Sequence, residues 1–148
     1  MIALGSDQAG YELKQEIIKY LEENGYEYKD YGSYSTDPVD YPVYGKKVAH
    51  AIADGECDKG ILICGTGIGV SIAANKVPGA YAALVNNVYQ AQRAQLSNNA
   101  NIITLGAQVT GIELAKCLVK EYLSVTFDPE SRSMPKVARI TEYEKEGK

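Results

Sequence analysis

Short apolar runs alternate along this chain with segments patterned as helices, and that alternation leaves few folds open. Ile2-Ala3-Leu4 reads as a buried strand, residues 26–31 as a second, Gly60-Ile61-Leu62-Ile63 as the clearest, and residues 81–85 and 101–105 as the last two. Between them, Leu13, Ile17, Tyr20 and Leu21 recur at helical spacing up to a stop at Asn24-Gly25. Val48 and Ile52 share one face of a second helix ending near Gly55. A short helix spans residues 70–75, and residues 89–96 and 112–123 are helical. Residues 32–42, with Ser, Thr, Asp and two prolines, read as a loop; residues 135–146 read as a last helix with Pro135 near its first position. Strands followed by helices predict βαβ units. The expected architecture is α/β: one domain over residues 1–148, a mostly parallel five-stranded sheet covered on both faces, and a C-terminal helix. Ligands of such sheets bind outside the carboxyl ends of the strands.

A chain of 148 residues can bury a core without disulfide or metal staples. Its net charge of -4 and pI near 5.0 speak against nucleic acid as a partner, since phosphate backbones require a concentrated basic surface. A small anion needs only a few placed donors. No apolar run approaches the roughly 18–20 residues of a membrane span, and the opening Met1-Ile2-Ala3-Leu4-Gly5 is too short for a signal peptide. No membrane contact and a cytoplasmic location are expected. The three cysteines, Cys57, Cys64 and Cys117, form no C-x-x-C pair and read as reduced thiols. His50 is the one histidine, so no metal site is expected unless two chains combine.

The strongest local signal is the turn Cys64-Gly65-Thr66-Gly67-Ile68-Gly69, set between a buried strand and a helix. Glycines let backbone approach a ligand closely, and free N–H groups at a helix start attract negative charge. No Gly-Lys-Ser/Thr follows, so it is not a P-loop. The glycine spacing is wrong for a dinucleotide, and no cofactor is implied. Arginine of a phosphatase-type cysteine loop would stand where Val70 is. Cys64 at a helix start is a base or nucleophile, or else a small buried hydrophobe. Cys57, in a polar turn, and Cys117, between Leu114 and Leu118 at the core or its edge, read as structural. Asp7, after the first strand, is either a ligand-facing carboxylate or a helix-start acid. His50 is off the Val48–Ile52 face and reads as solvated. Arg132 and Lys136 flank Pro135, where two cations can hold an anion or simply form a charged terminus. The twelve tyrosines read as amphipathic surface and interface residues.

The run Ile63-Cys64-Gly65-Thr66-Gly67-Ile68-Gly69 with Ser71-Ile72-Ala73-Ala74-Asn75-Lys76 resembles the signature of the family that joins ribose-5-phosphate isomerase B to the galactose-6-phosphate isomerase subunits. Gly5-Ser6-Asp7 with Gly10, Asp40-Tyr41-Pro42, Gly55-Glu56-Cys57-Asp58, Asn98, Asn101, Leu105-Gly106 and Gly111 with Glu113-Leu114-Ala115 also fit. The resemblance is strong over residues 1–125 and weaker in the tail. It implies a Rossmann-like three-layer fold, a dimer or tetramer with active sites between subunits, and metal-free aldose–ketose isomerisation of a sugar phosphate through an enediol. By the same resemblance Cys64 is the base. Thr66, with the turn's Gly65, Gly67 and Gly69, holds the developing enediolate. Asp7 and Gln8 meet the sugar, Asn98 reaches it from the other subunit, and Arg132 and Lys136 take the phosphate.

The sequence departs from that pattern at several positions. Gln8 and Ser97 stand where the family usually has His, Ser97 being at the ring-opening position. Some members place a phosphate-binding Arg near Gln108. In the tail, an Arg-His pair followed by Arg becomes Arg132-Ser133 and Lys136. Serine does not replace imidazole as a proton shuttle near neutral pH, and Lys keeps the charge of Arg without its fork. Three expectations follow: an isomerase acting on ribose 5-phosphate or another aldose phosphate, one subunit of a heteromeric hexose-6-phosphate isomerase with a homologous partner, or a non-catalytic sugar-phosphate-binding protein.

Overall fold

The computed structural model describes residues 1–147. Its elements follow the order β1 (Ile2–Ser6), α1 (Tyr11–Glu23), β2 (Tyr28–Asp30), α2 (Tyr41–Ala53), β3 (Lys59–Cys64), α3 (Ile68–Ala74), β4 (Ala82–Leu84), α4 (Val88–Leu96), β5 (Ile102–Gly106), α5 (Ile112–Leu123) and α6 (Met134–Lys145). The five strands form one sheet in the order β2-β1-β3-β5-β4, and every pairing is parallel. The central strands are buried on both faces, so they are continuously apolar.

Side chains along a strand point alternately to opposite faces, and the two cores show it. Ile2, Leu4, Ile61, Ile63, Ile103 and Leu105 pack beneath α1, α4 and α5. Ala3, Leu62, Cys64 and Ile102 pack beneath α2 and α3 on the other side. The result is a three-layer α/β sandwich. α1 faces the sheet through Leu13, Ile17, Ile18 and Leu21, as its periodicity predicts. The α5 stripe is Ala115, Leu118, Val119 and Tyr122.

That stripe corrects two expectations. Cys117 lies off it and is exposed, as is Leu114. Tyr122 is not a surface tyrosine: it is wholly buried, because its hydroxyl can donate to the Ala100 carbonyl at 2.6 Å. The loop expected to reach residue 42 stops earlier, since Pro42 is tolerated in the first turn of α2. α6 likewise carries Pro135 in its first turn and buries no residue. Its C-terminal half is tied to the body by Glu144, which accepts from the Tyr81 hydroxyl at 2.6 Å and the Gly79 N–H at 3.0 Å. No helix among the described residues is long and apolar enough to cross a membrane.

Candidate active site

The neighbouring carboxyl ends of β1 and β3 bring two distant parts of the chain together. Ser6 is in register with Ile63, and the Asp7 N–H donates to the Ile63 carbonyl at 3.3 Å. The loop after β1 lies almost on this strand end: a Cβ at Gly10 would stand 2.6 Å from the Ile63 oxygen. Asp7 and Cys64 therefore flank one end of the sheet, where ligands of parallel sheets bind. Both are nearly buried, at 8% and 5% exposure.

Asp7 is neither the cap nor a first-turn acid of α1, whose N-cap is Gly10; its Oδ1 accepts from the Gly10 N–H at 3.0 Å and closes the turn that precedes the helix. Its other oxygen has no hydrogen-bond partner among the described residues. Gln8 is occupied elsewhere: Oε1 accepts from the Val39 N–H at 3.0 Å, fastening the loop between β2 and α2 to the loop after β1. Under that loop lies Lys14, wholly buried, whose ammonium donates to Asp30 Oδ1 at 2.6 Å and to the Ser33 carbonyl. Burial lowers the affinity of this ammonium for its proton, and Asp30 opposes the shift.

The turn after β3 is braced from several sides. The Gly67 N–H donates to Cys64 Sγ at 3.1 Å, a contact that serves sulfur as an acceptor. The Thr104 hydroxyl donates to the Gly67 carbonyl at 2.8 Å. The Ala107 and Gln108 N–H groups donate to the Cys64 and Gly65 carbonyls, each at 2.9 Å. Gly67 has φ +80°, and a Cβ there would meet Leu84 Cδ1 at 2.7 Å and the Leu105 carbonyl carbon at 2.8 Å. Tyr41 lies over Gly69, where a Cβ would come within 2.3 Å of its ring. Thr66 is exposed at the mouth, its Oγ1 accepting from the Ile68 N–H at 3.2 Å.

The remaining predicted residues gather elsewhere. Ser97, Asn98, Arg132 and Lys136 line one cleft of about 600 Å³, together with Tyr89 and Arg93. Cys64 and Asp7 do not line it. The chain thus holds two groups of predicted site residues, one at the sheet end and one at the junction of α4 with α6. Arg93 was not a predicted site residue. Its Nε–H donates to Ser97 Oγ at 2.6 Å, and the available signal was its position four residues before Ser97, on the same helix face.

The other singled-out residues lie apart from both groups. Cys57 is buried with its sulfur 3.6 Å from the Tyr31 hydroxyl, and His50 is exposed on α2. No three His, Cys, Asp or Glu side chains among the described residues are grouped to hold a metal ion.

Comparison with known proteins places the whole chain. Residues 2–140 match the family model described as Ribose/Galactose Isomerase. Ribose-5-phosphate isomerase B of Escherichia coli (strain K12) is 44% identical over 143 residues, covering 97% of this chain and 95% of that protein. D-erythrulose-4-phosphate isomerase of Pectobacterium atrosepticum is 46% identical over 149 residues, covering 99% and 97%. The solved structure of Clostridium thermocellum ribose-5-phosphate isomerase B superposes with a TM-score of 0.96 at 48% identity, covering 99% of each chain. With the family model matched over residues 2–140 and the similarity running over nearly the whole length, the chain belongs to the ribose/galactose isomerase family.

Proposed function

We propose that this protein interconverts an aldose phosphate and its ketose, with ribose 5-phosphate and ribulose 5-phosphate as the first pair, through an enediol and with Cys64 as the base. One observation carries the reading. Cys64 Sγ sits at the carboxyl end of β3 beside Asp7, held by the Gly67 N–H at 3.1 Å in a turn braced by β5. A base fixed in this way needs no reorganisation when substrate arrives.

With the open-chain sugar bound, the Cys64 thiolate removes the proton from C2 and the electron pair moves into a C1–C2 double bond. Negative charge grows on O1, and the Thr66 hydroxyl and turn N–H groups stabilise it. O1 takes up the hydroxyl proton that O2 gives up, the thiol returns its own proton to C1, and the C2 oxygen becomes the ketone carbonyl, so no atom is gained or lost. Asp7 binds sugar hydroxyls with the carboxylate oxygen that Gly10 leaves free. Arg132 and Lys136 bind the phosphate, and Asn98 and Ser97 line the same cleft. The cleft of one protomer completes the Cys64 site of another, which makes the working form at least a homodimer. Gln8 and Ser97 carry no imidazole, so ring opening falls to solvent or another residue.

The test is ribose 5-phosphate turnover by the purified chain, wild type against Cys64→Ala. Turnover lost by about 10²–10⁴-fold in the variant supports the thiol as base. Turnover that survives the substitution removes Cys64 from that role. A second reading draws on the same separation of Cys64 from the cationic cleft: a homologous chain supplies the missing imidazole, as in a heteromeric hexose-6-phosphate isomerase. It predicts activity only on mixing with that chain.

A further inference from the structure

The cleft at the junction of α4 and α6 holds three cationic side chains, Arg93, Arg132 and Lys136, and no carboxylate lines it. None of the three is in an ion pair among the described residues. That concentration of positive charge is notable in a chain whose net charge is -4. Arg132 and Lys136 are exposed, whereas Arg93 is half-buried. α4 is anchored by buried Ala91, Ala94 and Gln95, so the Arg93 backbone is a fixed platform.

The guanidinium is oriented as well as placed. Its Nε–H is taken by Ser97 Oγ at 2.6 Å, and no other guanidinium nitrogen has a partner among the described residues. The terminal N–H groups stay available as a planar fork, the geometry that matches a phosphate edge. Lys136, a point charge, lacks that geometry. Ser97 is itself fixed, as the cap of α4 with its N–H donating to the Arg93 carbonyl at 2.8 Å. A hydroxyl oxygen that already accepts from a guanidinium is a poor proton acceptor, so its chemistry here is to orient Arg93.

We propose that Arg93 is a third phosphate-binding residue of this chain and that Ser97 is its positioning residue, not a proton shuttle. The inference rests on the sugar-phosphate reading above. It assigns the dianionic phosphate to a guanidinium from α4 acting with Arg132, just before α6, and Lys136 in its first turn.

The experiment is steady-state isomerisation of ribose 5-phosphate by wild type, Arg93→Gln, Arg93→Lys, Ser97→Ala and Ser97→Thr, with melting temperature as the check on folding. The loss expected for Arg93→Gln is on the order of tenfold or more and falls on KM rather than kcat, with Arg93→Lys between it and wild type. Ser97→Ala raises KM several-fold in the same way and Ser97→Thr, which keeps the hydroxyl, restores it. A KM unchanged in Arg93→Gln overturns the proposal. So does a Ser97→Ala variant that loses kcat at constant KM. If wild type turns over no sugar phosphate, the catalytic reading fails separately, and titration with inorganic phosphate decides this one. Binding by wild type that weakens in Arg93→Gln supports it; equal binding, or none, overturns it.

Discussion

Gly67 holds a backbone conformation with φ +80° at the point where the chain passes between Leu84 and Leu105. An alanine there carries both the left-handed penalty and a clash with backbone atoms that cannot move aside. The expected cost of Gly67→Ala is about 2–4 kcal/mol. Its N–H would also leave Cys64 Sγ, so activity should fall further than stability alone explains. Denaturant midpoint and kcat/KM measured together check both halves; a variant with wild-type stability would show that the turn is less constrained than its contacts imply. At this scale the turn between β3 and α3 was readable in advance. Cys64, Thr66 and the glycines are contiguous, and a contiguous motif survives without a fold. Arg93 was not readable in the same way, because an arginine on a helix is ordinary until the helix that faces it is known.

Among the elements, α5 shows how one buried polar group ties a helix to the sheet. Its Tyr122 hydroxyl donates to the Ala100 carbonyl just before β5. Burial pushes the phenol well above its ordinary range. The folded-state value therefore lies above the unfolded one. Tyr122 contributes fully below about pH 10, where an unfolded tyrosine is still neutral, and its contribution is lost as pH rises beyond that. Tyr122→Phe should cost about 1 kcal/mol at neutral pH for the lost hydrogen bond. It should also flatten the fall in unfolding free energy between about pH 9 and 11. The other tyrosines with raised values, such as Tyr31 and Tyr81, are present in both proteins, so the difference reports Tyr122. Parallel alkaline slopes would refute the assignment. The burial of this tyrosine escaped the sequence because Tyr is amphipathic, and only the position of Ala100 shows that its hydroxyl has a partner inside.

For the whole molecule, the spacing between the Cys64 turn and the cationic cleft is the dominant fact. Neither Cys64 nor Asp7 lines the cleft of its own chain. If the working site is shared between copies, two inactive variants should rescue each other. Cys64→Ala and an Arg132→Ala, Lys136→Ala double variant, mixed under conditions of subunit exchange, would form heterodimers with one intact and one doubly defective site. Random pairing of equal amounts gives about a quarter of wild-type activity. No recovery, with exchange verified, would place the whole site within one chain.

The sequence by itself determined the order of strands and helices, the parallel character of the sheet and the turn that carries Cys64. Each depends on periodicity or on contiguous residues, and these are properties of a one-dimensional string. Tertiary structure decided what distant residues do to each other. It set Asp7 beside Cys64 by pairing β1 with β3, and it assigned Gln8 to the Val39 backbone. It buried Tyr122 and exposed Cys117 on one helix, since the position of the buried stripe depends on what α5 packs against. It also gathered Arg132, just before α6, and Lys136 of α6 around Arg93 and Ser97. Such pairings depend on which faces meet, and meeting faces exist only once the chain has closed on its core.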